Sequence, residues 1–157
     1  MRKFTAADKQ LKPDPRYGDK TLARFINCVM RDGKRTAAQR IVYNALDEIE
    51  KRTEGEADGL EVFQKALANV RPNVEVRSKR VGGANYQVPM QVNRKRQQSL
   101  AFRWIISAVR SEKGRPMHLR LARELYDASR GEGKAVNTRD QTHRMADANK
   151  AFAHFAW

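Results

Sequence analysis

Acid is the scarce charge in this sequence: 18 Asp and Glu stand against 32 Lys and Arg, a formal net charge of +14 over 157 residues. Cysteine is scarcer still. Cys28 stands alone, which excludes an internal disulfide and any cysteine-based zinc site. Its place in a helical pattern predicts that it packs as a small hydrophobe. The three histidines offer no metal site, since on one continuous helix His143 and His154 would be roughly 16 Å apart at about 1.5 Å per residue. No apolar run approaches the ~20 residues that span a bilayer. The N-terminus lacks the hydrophobic core of a signal peptide, and Asp8 and Asp14 argue against a transit peptide, so a reducing, cytoplasmic setting is expected. No G-x-x-x-x-G-K-[ST] or G-x-G-x-x-G phosphate cradle occurs, and nothing nominates a nucleophile with its base. The chain reads as a non-enzyme with no cofactor, no metal, no small-molecule substrate and no membrane partner.

What is present is basic charge, unevenly spread. From Arg71 to Arg120 twelve Lys or Arg face two acids, a net of +10, whereas from Ile41 to Val70 three face seven, a net of −4. Solubility does not need such an excess, and self-repulsion penalises it, so an anionic partner is the better reason. Nucleic acid is the first candidate, set ahead of an anionic membrane. At this length one domain is expected over residues 1–157, burying about two-thirds of its unfolded surface.

Taken in order, residues 1–16 read as an extended basic arm with Lys3, Lys9, Lys12 and Arg16, able to lie along a phosphate backbone. Asp19 caps a first helix with Leu22, Phe25, Ile26, Val29 and Met30 inward. A second helix repeats the period with Ala38, Ile41, Val42, Ala45, Leu46 and Ile49. Lys34 and Arg35 at its start oppose the helix dipole, a conflict an external anion relieves. Asp58 and Glu61 have capping-box spacing for a third helix carrying Phe63, Ala66, Leu67 and Val70.

The period then changes from 3.6 to 2. Val74 and Val76 alternate with Glu75 and Arg77, and Tyr86, Val88, Met90 and Val92 alternate with polar residues, around a Gly82-Gly83 turn. This predicts a β-hairpin arm over residues 72–92, with Pro89 turned away from the ladder. Such an arm is marginal alone and is expected to order against a partner.

Asn93 caps a fourth helix. At about 100° per residue, Arg96, Ser99, Arg103, Ser107 and Arg110 share one side, while Leu100, Trp104, Ile105 and Ala108 cover the other. No acid occurs from Asn93 to Ser111, so this strip is suited to following a phosphate backbone. Lys113, Arg115 and His118 cluster where a fifth helix opens at Pro116. There Met117, Leu121, Ala122, Leu125 and Ala128 face inward, and Arg120–Glu124 and Arg123–Asp127 are i, i+4 surface pairs. A last helix is expected to carry Arg139, His143, Lys150 and His154 on one face. Phe152, Phe155 and Trp157 either stack on bases or pack on the body.

Several segments together resemble one family, the bacterial small-subunit ribosomal protein seven. They are Pro13-Asp14-Pro15, Phe25-Ile26-Asn27, Asp32-Gly33-Lys34, Asn69-Val70-Arg71-Pro72 through Ser78, Arg80-Val81-Gly82-Gly83, Tyr86-Gln87-Val88-Pro89, Arg103-Trp104, His143 to Ala146 and Ala148 to His154. The resemblance covers nearly the whole chain in order. It implies a mainly α fold, a six-helix body with one protruding two-stranded arm, that binds small-subunit rRNA and nucleates assembly of the subunit head, the 3′ major domain. It also implies a place at the subunit interface near the tRNA exit site and the mRNA path, with small-subunit proteins nine and eleven as neighbours. Some members repress their own messenger. By resemblance, exit-site contact falls on Arg77, Arg80, Gly82, Gly83, Tyr86, His143, Arg144 and Lys150. Anchoring on rRNA falls on Lys34, Arg35, Arg71, Arg94, Arg96, Arg103 and the Lys113, Arg115, His118 cluster. The sequence departs from the family at Met1-Arg2-Lys3-Phe4, where an arginine cluster is common, and at Asn137-Thr138-Arg139-Asp140, where adjacent cations are common. From the residues alone, an architectural DNA-binding protein with a groove-entering arm and an RNA-processing enzyme are the rival readings.

Overall fold

The structure is a computed structural model and describes residues 10–157; the sequence-predicted contacts Lys3 and Lys9 lie outside the described residues. The described chain runs α1 (Lys20–Val29), α2 (Arg35–Arg52), α3 (Gly59–Val70), β1 (Val74–Val81), β2 (Ala84–Gln91), α4 (Arg94–Ser111), α5 (Met117–Ser129), α6 (Lys134–Ala148) and a short 3-10 helix (Lys150–Phe155). This is the expected mainly helical fold with one antiparallel hairpin.

Local chemistry sets the helix starts. The Asp19 carboxylate accepts the Leu22 N–H at 3.0 Å, and the Asn93 side chain accepts that of Arg96 at 2.9 Å. Asp58 accepts from Leu60 at 3.2 Å, an ordinary N-cap bond to the second helical residue; among the described residues neither bond of the expected capping box with Glu61 is made. The apolar stripes of α1, α2, α3, α4 and α5 close on one core. At its middle the Phe25 ring meets Phe63 at 5.2 Å and Phe102 at 5.3 Å, joining α1, α3 and α4. Burying a phenylalanine of this kind stabilises by about 1.5–3 kcal/mol.

Three expectations about burial need correction. Cys28 is exposed, because it lies off the stripe of Leu22, Phe25, Ile26 and Val29 and projects beside α4. On α4 the inward residues are Leu100, Ala101, Phe102, Ile105, Ile106 and Val109, whereas Trp104 and Ala108 are only half-buried. Arg120 and Glu124 are not a surface pair. Arg120 turns back to donate to the carbonyls of Val109, at 2.9 Å, and Glu112, closing the end of α4. Glu124 is only 8% exposed and accepts the Ala135 N–H at 2.8 Å. It serves as a tertiary cap for α6, whose own cap position is Gly133 at φ 99°, without a side chain to do so. A Cβ at Gly133 would stand 3.1 Å from Glu124 Oε1, so the glycine leaves room for the cap.

The arm closes on a two-residue loop, with Gly82 at φ 57° and Gly83 at φ 85°, as a type I′ hairpin requires. That loop pairs Val81 with Ala84 and fixes every later pair, including Arg77 with Val88 and Lys79 with Tyr86. The apolar positions of the two strands therefore fall on opposite faces. The inward face combines Tyr86, Val88 and Met90 with Glu75 and Lys79, while Val74 and Val76 are half-buried on the other side. The Val92 N–H donates to Asn73 O at 3.1 Å, which sets the alternation and puts Pro89 opposite Val76 at a pair with no ladder bond. Its missing donor costs the ladder nothing.

The expected single last helix is two. α6 ends at Ala148, and the chain turns at Asn149 into the 3-10 helix, so Lys150 and His154 do not continue the face of Arg139 and His143. The turn brings the C-terminal segment onto the arm. Tyr86 meets Phe152 and Phe155 at 5.1 Å each. Lys79 Nζ donates to Phe155 O at 2.7 Å and lies 4.6 Å from the Trp157 ring centre. The C-terminal segment thus packs against the arm.

Candidate nucleic-acid interface

Helix α4 opens on three cations, Arg94, Lys95 and Arg96, with no acid in its first turn, which its dipole disfavours. Glu75 on β1 meets part of that conflict. Its Oε2 accepts from Arg96 Nε at 3.2 Å and Nη2 at 3.0 Å, and its Oε1 pairs with Arg77 at 2.7 Å. The sequence-predicted strip is thus divided. Arg96 is held by the arm, and Arg110 at the other end donates to Val29 O at 3.0 Å, capping the last turn of α1. Between them Arg103 is exposed and makes no ion pair or hydrogen bond among the described residues.

The middle of the strip is one wall of a concavity. Cys28 of α1 faces Ser99, Phe102, Arg103, Ile106, Ser107, Arg110 and Ser111 across a groove of about 650 Å³. A second groove of about 410 Å³ shares Arg110 and adds Arg31, Lys34 and Arg120 around Ala37, Ile41 and Met117. No acid lines either groove. Burial holds the Arg110 guanidinium below the usual arginine range, and the neighbouring Arg31 charge pushes the same way. An anion here would relieve the repulsion between them. Lys113 and Arg115 on the α4–α5 turn are exposed and unpaired among the described residues, and His118 is half-buried beside them. Arg35, predicted as an anchor, donates to the Asn27 side chain.

A third concavity, about 510 Å³, is lined by Arg71 at the end of α3 and by Arg94, Lys95, Gln97 and Gln98 at the start of α4. Two predicted anchors, Arg71 and Arg94, thereby meet from different elements. At the N-terminal side Lys12 is exposed, but Arg16 is engaged: its guanidinium pairs with Asp47 and lies 5.1 and 5.4 Å from the Tyr17 and Tyr43 ring centres. Asp14, 2% exposed, fixes this corner by accepting the N–H groups of Arg16 and Tyr17 at 3.0 Å each and the Tyr43 hydroxyl at 2.5 Å.

On the arm, Arg80, Gly82 and Gly83 are exposed at the tip, whereas Arg77 is paired to Glu75 and Tyr86 is covered by the C-terminal rings. His143 Nε2 accepts the Asn73 N–H at 3.2 Å and so anchors the arm's base, while Arg144 and Lys150 are exposed. Arg31 and Arg120 are the cations missed in the sequence. Arg31 sits in a segment legible only as a turn, and Arg120 has the spacing of a surface pair. Among the described residues no cluster of histidine, cysteine and acids could hold a metal ion, and no helix is long and apolar enough to cross a membrane.

Comparison with known proteins agrees with the resemblance. Residues 1–150 match the model of a family described as ribosomal protein S7p/S5e. The small ribosomal subunit protein uS7 of Rhodopirellula baltica is 61% identical over 157 residues, covering all of both chains. The protein of the same name from Salinibacter ruber is 59% identical over 144 residues, 92% of this chain and 91% of its own. That from Thermotoga petrophila is 52% identical over the full length of both. With its helical body, the one hairpin of its described residues and this match along nearly the whole sequence, the chain belongs to the ribosomal protein S7p/S5e family.

Proposed function

We propose that this protein is a structural constituent of the small ribosomal subunit that binds rRNA directly, through the face built by α1, α4 and the α4–α5 turn. Membership of the family makes it a ribosomal protein and not an enzyme. The observation that carries the binding reading is the pair of acid-free grooves sharing Arg110, with Arg31, Lys34 and Arg103 around them. Cations collected at one place, with no acid to neutralise them, are tolerated where a polyanion completes the charge. The third concavity, with Arg71 and Arg94, extends the same surface toward the arm.

The finer role follows from the resemblance and is part of the proposal. The permanent anchor is the helical face, and it nucleates the head of the subunit, the 3′ major domain, in the cytoplasm. The arm tip, with Arg80 exposed, and the exposed Arg144 and Lys150 border exit-site tRNA and messenger, with small-subunit proteins nine and eleven nearby. The single domain expected over residues 1–157 is consistent with one core that draws on all six α-helices.

The test is competition at fixed salt between a transcript of the bacterial 3′ major domain and duplex DNA of equal length. Preference for the transcript by at least about tenfold, roughly 1.4 kcal/mol, is expected. Equal affinity would instead support an architectural DNA-binding protein.

A further inference from the structure

The spacing of the cations on α4 suits a phosphate backbone, yet Arg103 and Arg110 stand at the side of a groove. Its floor is apolar, from the outer edges of Phe102 and Ile106, which are otherwise packed in the core at 2% and 7% exposure, and its opposite wall is the exposed Cys28 of α1. A groove of about 650 Å³ lies within the ordinary range for small-ligand sites, about 300–1,000 Å³. The backbone of a paired RNA helix satisfies cations on a ridge, but it is polar throughout and leaves an apolar floor unfilled. A nucleotide turned out of its helix is different, because it brings a phosphate and a flat, largely apolar base within a few ångströms of each other.

We propose that the α1–α4 groove receives one unstacked nucleotide of the bound RNA, its phosphate held by Arg103 and Arg110 and its base laid over Phe102 and Ile106 beside Cys28. This rests on the rRNA-binding reading above and adds to it a class of RNA structure: a bulge, loop or junction that can spare a base. Ser107, exposed on the same wall, offers a hydroxyl to the base edge or the sugar. The charge complement is one-sided, with two guanidinium groups and no carboxylate around the groove.

Cys28 is the chain's single cysteine, so the groove carries its own reporter. The full-length protein is bound to the 3′ major domain transcript, binding is confirmed by filter retention on the same sample, and Cys28 alkylation by a maleimide is timed with and without RNA. Alkylation at least about tenfold slower in the complex is expected if a base fills the groove, the fold-change equivalent of about 1.4 kcal/mol of occlusion. In parallel, Cys28→Trp, which fills the groove without adding charge, should weaken transcript binding at least about tenfold and flatten the slope of log K against log salt by no more than the roughly 0.7–0.9 that one lost phosphate accounts for. Retention of the transcript with Cys28 alkylated at the free rate overturns the groove inference and leaves the rRNA reading intact. Failure of the wild-type protein to retain the transcript overturns both. The protection measurement needs no variant, so it decides the matter even where Cys28→Trp misfolds.

Discussion

Glu75 on the arm and Arg96 on α4 form a two-point contact, Nε and Nη2 both donating to Oε2 at 3.2 and 3.0 Å, so the arm is fastened to the helix that carries the basic face. The carboxylate is nearly covered, at 7% residue exposure, and it also holds Arg77. Glu75→Gln keeps the shape and removes the charge. It should destabilise the protein by about 2 kcal/mol in urea unfolding, the scale of hydrogen bonds to a charged group. A change under about 0.5 kcal/mol would mean that the arm's attachment lies elsewhere, in the His143 contact or the C-terminal rings.

Arg103 and Arg123 provide a matched pair of charge reversals. Arg103 has no partner among the described residues and stands at a groove, whereas Arg123 pairs with Asp127 at 3.8 Å on the surface of α5. Arg103→Glu should weaken binding to the 3′ major domain transcript and flatten the slope of log K against log salt by roughly 0.7–0.9 or more. Arg123→Glu should leave the slope unchanged. Equal losses in the two variants would remove the α4 face as the anchor.

Glu124 gives a pH signature. Burial pushes its carboxyl above the ordinary value of 4.5, against the opposing pull of the Ala135 N–H bond, so the folded state binds its proton more tightly than the unfolded chain does. The stability this favours is present below 4.5 and is lost as pH rises through the raised folded value. Glu124→Gln keeps an acceptor for Ala135 without the buried charge, so its stability relative to wild type should improve across that rise. Glu124→Ala leaves the α6 start uncapped and should cost about 1–2 kcal/mol near neutral pH. Parallel pH–stability curves for wild type and Glu124→Gln would show that the carboxyl titrates as it does in solvent.

Tyr86 tests whether the terminus orders the arm. Its ring sits 5.1 Å from both Phe152 and Phe155, and each aromatic pair contributes about 0.5–1.5 kcal/mol beyond its buried area. Tyr86→Ala should therefore speed hydrogen exchange of the arm amides by roughly tenfold or more, with the core helices unaffected. Transcript affinity should hold if the anchor lies on α4 as proposed. Unchanged exchange would show that the hairpin stands without the C-terminal rings.

Short-range chemistry was legible in the residues, and long-range choice was not. Asp19 and Asn93 cap the helices that follow them, and Gly82-Gly83 makes the turn, because each effect acts within about four residues. Glu124 had the right spacing to pair with Arg120, yet each found a distant partner, at Ala135 and at Val109. A surface i, i+4 pair contributes only a few tenths of a kcal/mol, so a buried cap outweighs it. The opposed faces of the two strands follow from loop length, which sets parity whatever the hydrophobic pattern favours. The basic face was visible as an acid-free run, but its concavity depends on how α1 lies against α4, which no spacing within α4 encodes.

Pro89 carries a last consequence. On β2 the backbone donors that point away from β1 belong to the same alternation as Pro89, which has none to offer. A foreign strand aligning along that edge would find one of its bonds missing, and an unpaired edge is where newly made chains stick to one another. In a chain of formal net charge +14, like-charge repulsion opposes such pairing as well. The proline that leaves the arm's own ladder intact is also a guard against that outcome.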